Sequence, residues 1–178
     1  MEGKGYLIMK CLEMSHAETL LGNWGIEIGK ARQLQFQHNE KLIQLVLPRE
    51  PIPILYFSER ITEWLPKGTQ RFIWFADWDT DPHSQMYLIE KIRSFYGDTR
   101  PLIESPGILF DETSKDENEA FTSIAFLIMA FGWSGYLIAK DHSEYAYIFE
   151  GLAKFSCSTK EGANELLTLA KQYKLKIM

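Results

Sequence analysis

The sequence predicts an α+β or α/β fold, a single layered domain with a mixed β-sheet and helices packed on it, and three observations carry that expectation. Two short apolar runs, Phe72–Phe75 and Gly107–Phe110, each lead through an acidic turn into a segment of helical apolar periodicity. Capping boxes at Ser114–Glu117 and Ser158–Glu161 mark helix starts, because side-chain oxygens there satisfy amide donors that the first turn leaves unpaired. Near the C-terminus, Tyr136–Ala139 and Tyr145–Phe149 flank a polar turn, the pattern of a β-hairpin. A chain of 178 residues, 46% hydrophobic and 24% charged, is long enough to bury one core.

Taken in order, residues Tyr6 to Leu21 read roughly as a helix stopped by Gly22, with a strand as the other reading of the first few. Ile26 and Ile28 alternate around Glu27 as a short strand. Gln33–Gln37 and Leu42–Leu47 flank a four-residue loop and predict a hairpin. The connector from Pro48 to Pro53 holds three prolines and divides subregions 1–50 and 51–178, and Ser58 then caps a short helix from Glu59 to Leu65. Pro82–Tyr96 predicts a helix stopped by Gly97. Thr122–Ala139 carries no charge but is broken by Gly132, Ser134 and Gly135, so it reads as a core helix feeding a buried strand and not as a membrane span. A third strand, Ala153–Cys157, extends the late hairpin. A closing helix then sets Ala163, Leu166, Leu167, Ala170 and Tyr173 on one face.

Charge is unevenly distributed. Residues 71–120 carry five Lys/Arg against eleven Asp/Glu, whereas 1–70 balance at eight each and 121–178 carry six against five. The middle of the chain thus holds all of the excess acid behind the net charge of −5. With no basic stripe, nucleic acid is not the expected partner. Cys11 and Cys157 stand outside any metal-binding spacing, and the N-terminus lacks a secretory pattern, so the expectation is a cytoplasmic protein with buried thiols.

The candidate site is the strand exit Asp77-Trp78-Asp79-Thr80-Asp81. Three carboxylates this close repel one another, and a divalent cation is one way to offset that. An EF-hand loop fails at Pro82 and Leu88, where glycine and glutamate are needed. The segment resembles the D-x-D-x-T/V of haloacid-dehalogenase phosphatases at Asp77 and Asp79. It departs at Asp81, and the downstream lysine and paired-acid motifs are missing. The structural account gives Asp81 to helix capping, Asp79 to the helix dipole and Asp77 to the strand end. Trp78 has no such account, and an aromatic ring among acids is typical of a binding surface.

Asp77 and Asp111 lie 34 positions apart; if their strands are parallel neighbours, both acidic exits share one sheet edge. The expected function is a non-catalytic protein-binding domain, of inhibitor or immunity type, that meets a basic partner through Trp78, Asp77, Asp79, Asp81 and Asp111. No cofactor is expected, and the aromatic content leaves a homo-oligomer open. The alternative is a divalent-metal hydrolase with Asp77, Asp79 and Asp111 as ligands and His83 as acid/base.

Overall fold

The computed structural model describes residues 9–36, 41–66, 69–77, 84–95, 97–100, 104–110, 115–140 and 144–178. Its elements in chain order are β1 (Lys10–Leu12), α1 (Met14–Asn23), β2 (Ile26–Ile28), β3 (Leu34–Phe36), β4 (Lys41–Val46), α2 (Pro51–Trp64), β5 (Arg71–Asp77), α3 (Ser84–Phe95), β6 (Gly107–Phe110), α4 (Lys115–Phe131), β7 (Ser134–Ala139), β8 (Glu144–Phe149), β9 (Leu152–Cys157) and α5 (Lys160–Gln172). Seven strands form one sheet in the order β1-β6-β5-β7-β8-β9-β4, and β2 pairs with β3 in a separate ribbon. The described pairings of the large sheet are all antiparallel. The fold is therefore α+β. Both edge strands, β1 and β4, come from the first 50 residues.

Alternation along the strands fills both faces. One set, including Ile73, Phe75, Ile108, Leu137, Ile148 and Phe155, packs under α2, α3, α4 and α5 through Phe57, Ile61, Ile89, Phe121, Ile124 and Leu166. The alternate set, Phe72, Trp74, Leu109, Tyr136 and Ile138, packs under α1 and the β2–β3 ribbon through Ala17, Leu21, Trp24, Ile26 and Leu34. Two polar contacts fasten the ribbon. The Tyr136 hydroxyl donates to Gln33 Oε1 at 2.7 Å and accepts from the Leu34 amide at 3.3 Å. The Trp74 indole donates to the Arg32 carbonyl at 2.8 Å, at a turn where Ala31 and Arg32 hold left-handed backbone, φ 51° and 58°.

Several local expectations shift. Residues 10–12 are a strand, and α1 runs through Gly22 to end before Gly25, whose φ of 73° takes the chain out of the helix. β3 pairs with β2 and β4 with β9, so the predicted 33–47 hairpin does not form. Helix α2 begins at Pro51 and not after the proline segment, because a helix's first turn lacks amide partners and tolerates prolines there. Ser58 consequently lies mid-helix, donating to the Leu55 carbonyl. The cap of α5 is Thr159, one residue beyond Ser158, with its Oγ1 accepting from the Gly162 amide at 3.0 Å. The break at Gly132, the β7–β8 hairpin and the third strand stand as predicted.

Candidate functional site

Trp78, Asp79, Asp81, His83 and Asp111 lie outside the described residues. Asp77 is the last residue of β5, opposite Ser134, just past an irregularity that leaves Ala76 as the extra residue. The register does decide one premise. β5 and β6 are antiparallel, with Arg71 opposite Phe110 and Trp74 opposite Gly107. The C-terminal end of β6 therefore lies where β5 begins, at the opposite end of the sheet from Asp77. The shared edge expected for Asp77 and Asp111 required parallel strands, and that condition is not met. A 34-residue spacing also accommodates a helix followed by a long return to an antiparallel neighbour.

The described surface that joins acid to aromatic side chains is instead the outer wall of the helical layer. On α3, Ile89 and Arg93 point inward and are fully buried. Helical spacing then turns Tyr87, Leu88, Lys91 and Phe95 outward, and Phe95 is 84% exposed. On α4, the core takes Ala120, Phe121 and Ile124, leaving Asp116, Glu119 and Ser123 on the side toward α3. Between the two helices lies a groove of about 580 Å³ lined by Lys91, Ile92, Phe95, Asp116, Glu119 and Ser123. Lys91 Nζ rests 4.9 Å from the centroid of the Tyr87 ring. Lys115 reaches Glu119 at 3.7 Å, but both side chains are well exposed, and such a pair contributes little.

Two buried arginines fix this wall. Arg71 of β5 lies under α4 with its guanidinium 4.8 Å from the Phe121 ring centroid, donating to Asn118 Oδ1 and to the Thr62 carbonyl. Burial lowers its pKa, opposed by the nearby Glu117 carboxylate. Arg93 ties the end of α3 to β1: its Nε lies 3.2 Å from Cys11 Sγ, and its Nη2 donates to Asp98 and Ser105. Arg100 completes the cluster through Asp98, Glu13 and the Cys11 carbonyl. Burial pushes the Asp98 carboxyl up, but hydrogen bonds from Arg100 and Arg93 outweigh it and hold the group well below the usual carboxylate range.

Cys11 lines a cleft of about 420 Å³ with Lys10, Asp98 and Arg100, yet burial pushes its thiol up to about 11 against the pull of Arg93. A thiol that stays protonated near neutrality is a poor nucleophile. Cys11 and Cys157 form no disulfide. Among the described residues, no group of three His, Cys, Asp or Glu is placed to hold a metal ion, and no helix is long and apolar enough to cross a membrane.

Comparison with known proteins adds no constraint. No family model, curated protein or solved structure matches the chain.

The α3–α4 groove was missed in the sequence, although a signal was present. Residues 86–95 place Met86, Tyr87, Leu88, Ile89, Ile92 and Phe95 around more of the helix than one buried stripe needs. Surplus apolar residues on a helix with a single core face must reach solvent. The sequence does not say which ones, because the core face is set by how α3 lies on the sheet.

Proposed function

We propose that this chain is a non-catalytic protein-binding domain that recognises a basic segment of another protein through the α3–α4 wall. The observation that carries the reading is Phe95, a large ring 84% exposed at the mouth of the groove whose far side presents Asp116 and Glu119. Tyr87 and Leu88, 54% and 43% exposed, extend the apolar strip along α3. An exposed aromatic anchor beside carboxylates suits a partner that offers an apolar side chain flanked by lysine or arginine. An inhibitor or immunity role toward a basic protein fits that chemistry, and two cysteine thiols suit a reducing, cytoplasmic setting. The acidic segment around Trp78 belongs to the same partner-binding reading.

The test is an NMR titration of the whole chain with a short amphipathic peptide of lysine and leucine. The expected outcome is perturbation centred on Ile92, Phe95 and Ser123, weakening with salt. Phe95→Ala is expected to lower affinity by about tenfold or more, and Asp116→Lys with Glu119→Lys to abolish binding. Perturbation elsewhere, or binding indifferent to these changes, overturns the reading.

A further inference from the structure

The two edges of the seven-stranded sheet are protected in different ways. An edge strand presents amides and carbonyls with no neighbour, and a bare edge invites another chain to pair with it. β1 is only three residues long, and its Cys11 carbonyl accepts from Arg100 at 2.8 Å. β4 is six residues long and carries Leu42, which is 60% exposed. One side of β4 pairs with β9, and the other is met by residues 176–178, with Ile177 opposite Leu45. There the Val46 amide donates to the Lys176 carbonyl and the Met178 amide to the Gln44 carbonyl, both at 2.9 Å. Gln44 and Val46 thus direct their backbone groups to the sheet edge, away from β9.

We propose that the β4 edge is an interface between two copies of this chain, which residues 176–178 hold closed. The covering segment is weakly fastened. Leu175 packs against the core, and its amide donates to the Ala170 carbonyl at 2.8 Å. Beyond it, Ile177 and Met178 are 45% and 66% exposed. The Gln44 side-chain amide, 3.4 Å from Met178 Sδ, adds one weak contact. A segment with so little buried surface opens at low cost. Its advantage over a second copy is proximity. Joined directly to α5, it meets β4 at an effective concentration on the order of millimolar, so a second copy at micromolar concentration is kept out until the segment lifts.

The sequence of β4 suits pairing with itself. A two-fold interface sets one surface against its own copy. An antiparallel pair of β4 strands centred on Gln44 places Leu42 opposite Val46 of the second copy on one face, and Ile43 opposite Leu45 on the other. Apolar side chains then meet apolar ones on both faces, and Lys41 stands opposite Leu47, so no like charges confront each other. The outward backbone groups of Leu42, Gln44 and Val46 recur every second residue, as an antiparallel ladder requires.

The test is light scattering and sedimentation of the full chain beside a chain ending at Leu175, from about 1 μM to 1 mM. The full chain is expected to stay monomeric through the micromolar range, and the shortened chain to form a dimer at least about tenfold more readily. Met178→Pro in the full chain removes one of the two amide donors without shortening the chain, and is expected to shift the balance in the same direction. This second variant decides the matter if the shortened chain melts out. In the shortened chain Gln44→Pro is expected to abolish the dimer, because it removes an amide that faces the edge and not β9. Gln44→Lys, which sets like charges across the axis, is expected to weaken it about threefold or more, and a mixture of Gln44→Lys with Gln44→Glu chains to recover it. A monomer in both released forms, a full chain that dimerises equally well, open-ended aggregation, or a dimer indifferent to residue 44 overturns the proposal.

Discussion

Asp98 is the residue at which charge and stability are most tightly linked. Its carboxylate holds Arg93 at 3.1 Å and Arg100 at 2.8 Å, and Arg93 is fully buried. A group whose folded pKa is depressed adds stability above its unfolded value, about 3.9, and that stability is lost as pH falls below it. Acid unfolding below about pH 4 should therefore be blunted in Asp98→Asn, which is also less stable at neutral pH by about 3 kcal/mol because it leaves a buried guanidinium without its counter-charge. Chemical denaturation at pH 7 and pH 3 measures both. Trp78 is open to a comparably direct measurement. Trp24, Trp64, Trp74 and Trp133 are all buried. The partner-binding reading predicts a fluorescence component accessible to iodide that disappears in Trp78→Phe, and a wild-type signal wholly shielded from iodide counts against it.

At the scale of elements, helix ends show where local chemistry is satisfied and where it is not. α3 and α4 leave through Gly97 and Gly132, with φ of 89° and 69°, and the amides of Asp98 and Trp133 close back on Arg93 and Ile128. α5 ends in the same way at Lys174, φ 53°, where the Leu175 amide returns to the Ala170 carbonyl. A side chain in that conformation is strained, so Lys174→Gly should stabilise the protein by about 1 kcal/mol in thermal or denaturant unfolding. Gly132 was legible in sequence because glycine at a helix end has a known conformational reason. Lys174 was not, because only the returning hydrogen bond reveals the turn. The start of α2 shows the converse. Three prolines in six residues read as a connector, yet two of them open a helix, since proline restricts the interior of a helix and not its first turn.

For the whole molecule, the decisive feature is that the first 50 residues supply both edges of the sheet, β1 against β6 and β4 against β9. A boundary at the proline segment would separate β4 from its only described partner strand. A fragment of residues 51–178 should accordingly lose cooperative unfolding, a loss that calorimetry would detect. The helical wall sets apolar rings beside Asp116 and Glu119, and the contact proposed there should weaken with salt, since it sets exposed charges against a partner of opposite sign.

A layered domain of helices on a sheet, the late hairpin, the break at Gly132 and the concentration of acid between residues 71 and 120 were legible in the sequence, because periodicity, glycine and charge act locally; the choice of α+β over α/β was not. Asp77, at the end of β5, was legible as a strand exit for the same reason. Strand order and direction were decided only by the tertiary structure. β5 and β6 are antiparallel although a helix lies between them, and β3 joins β2 instead of β4. Which partner a strand takes depends on which apolar face each helix covers, and that is a property of the assembled layers. For the same reason the exposure of Phe95 emerges only in the fold: exposure is what remains after every other surface has found a neighbour.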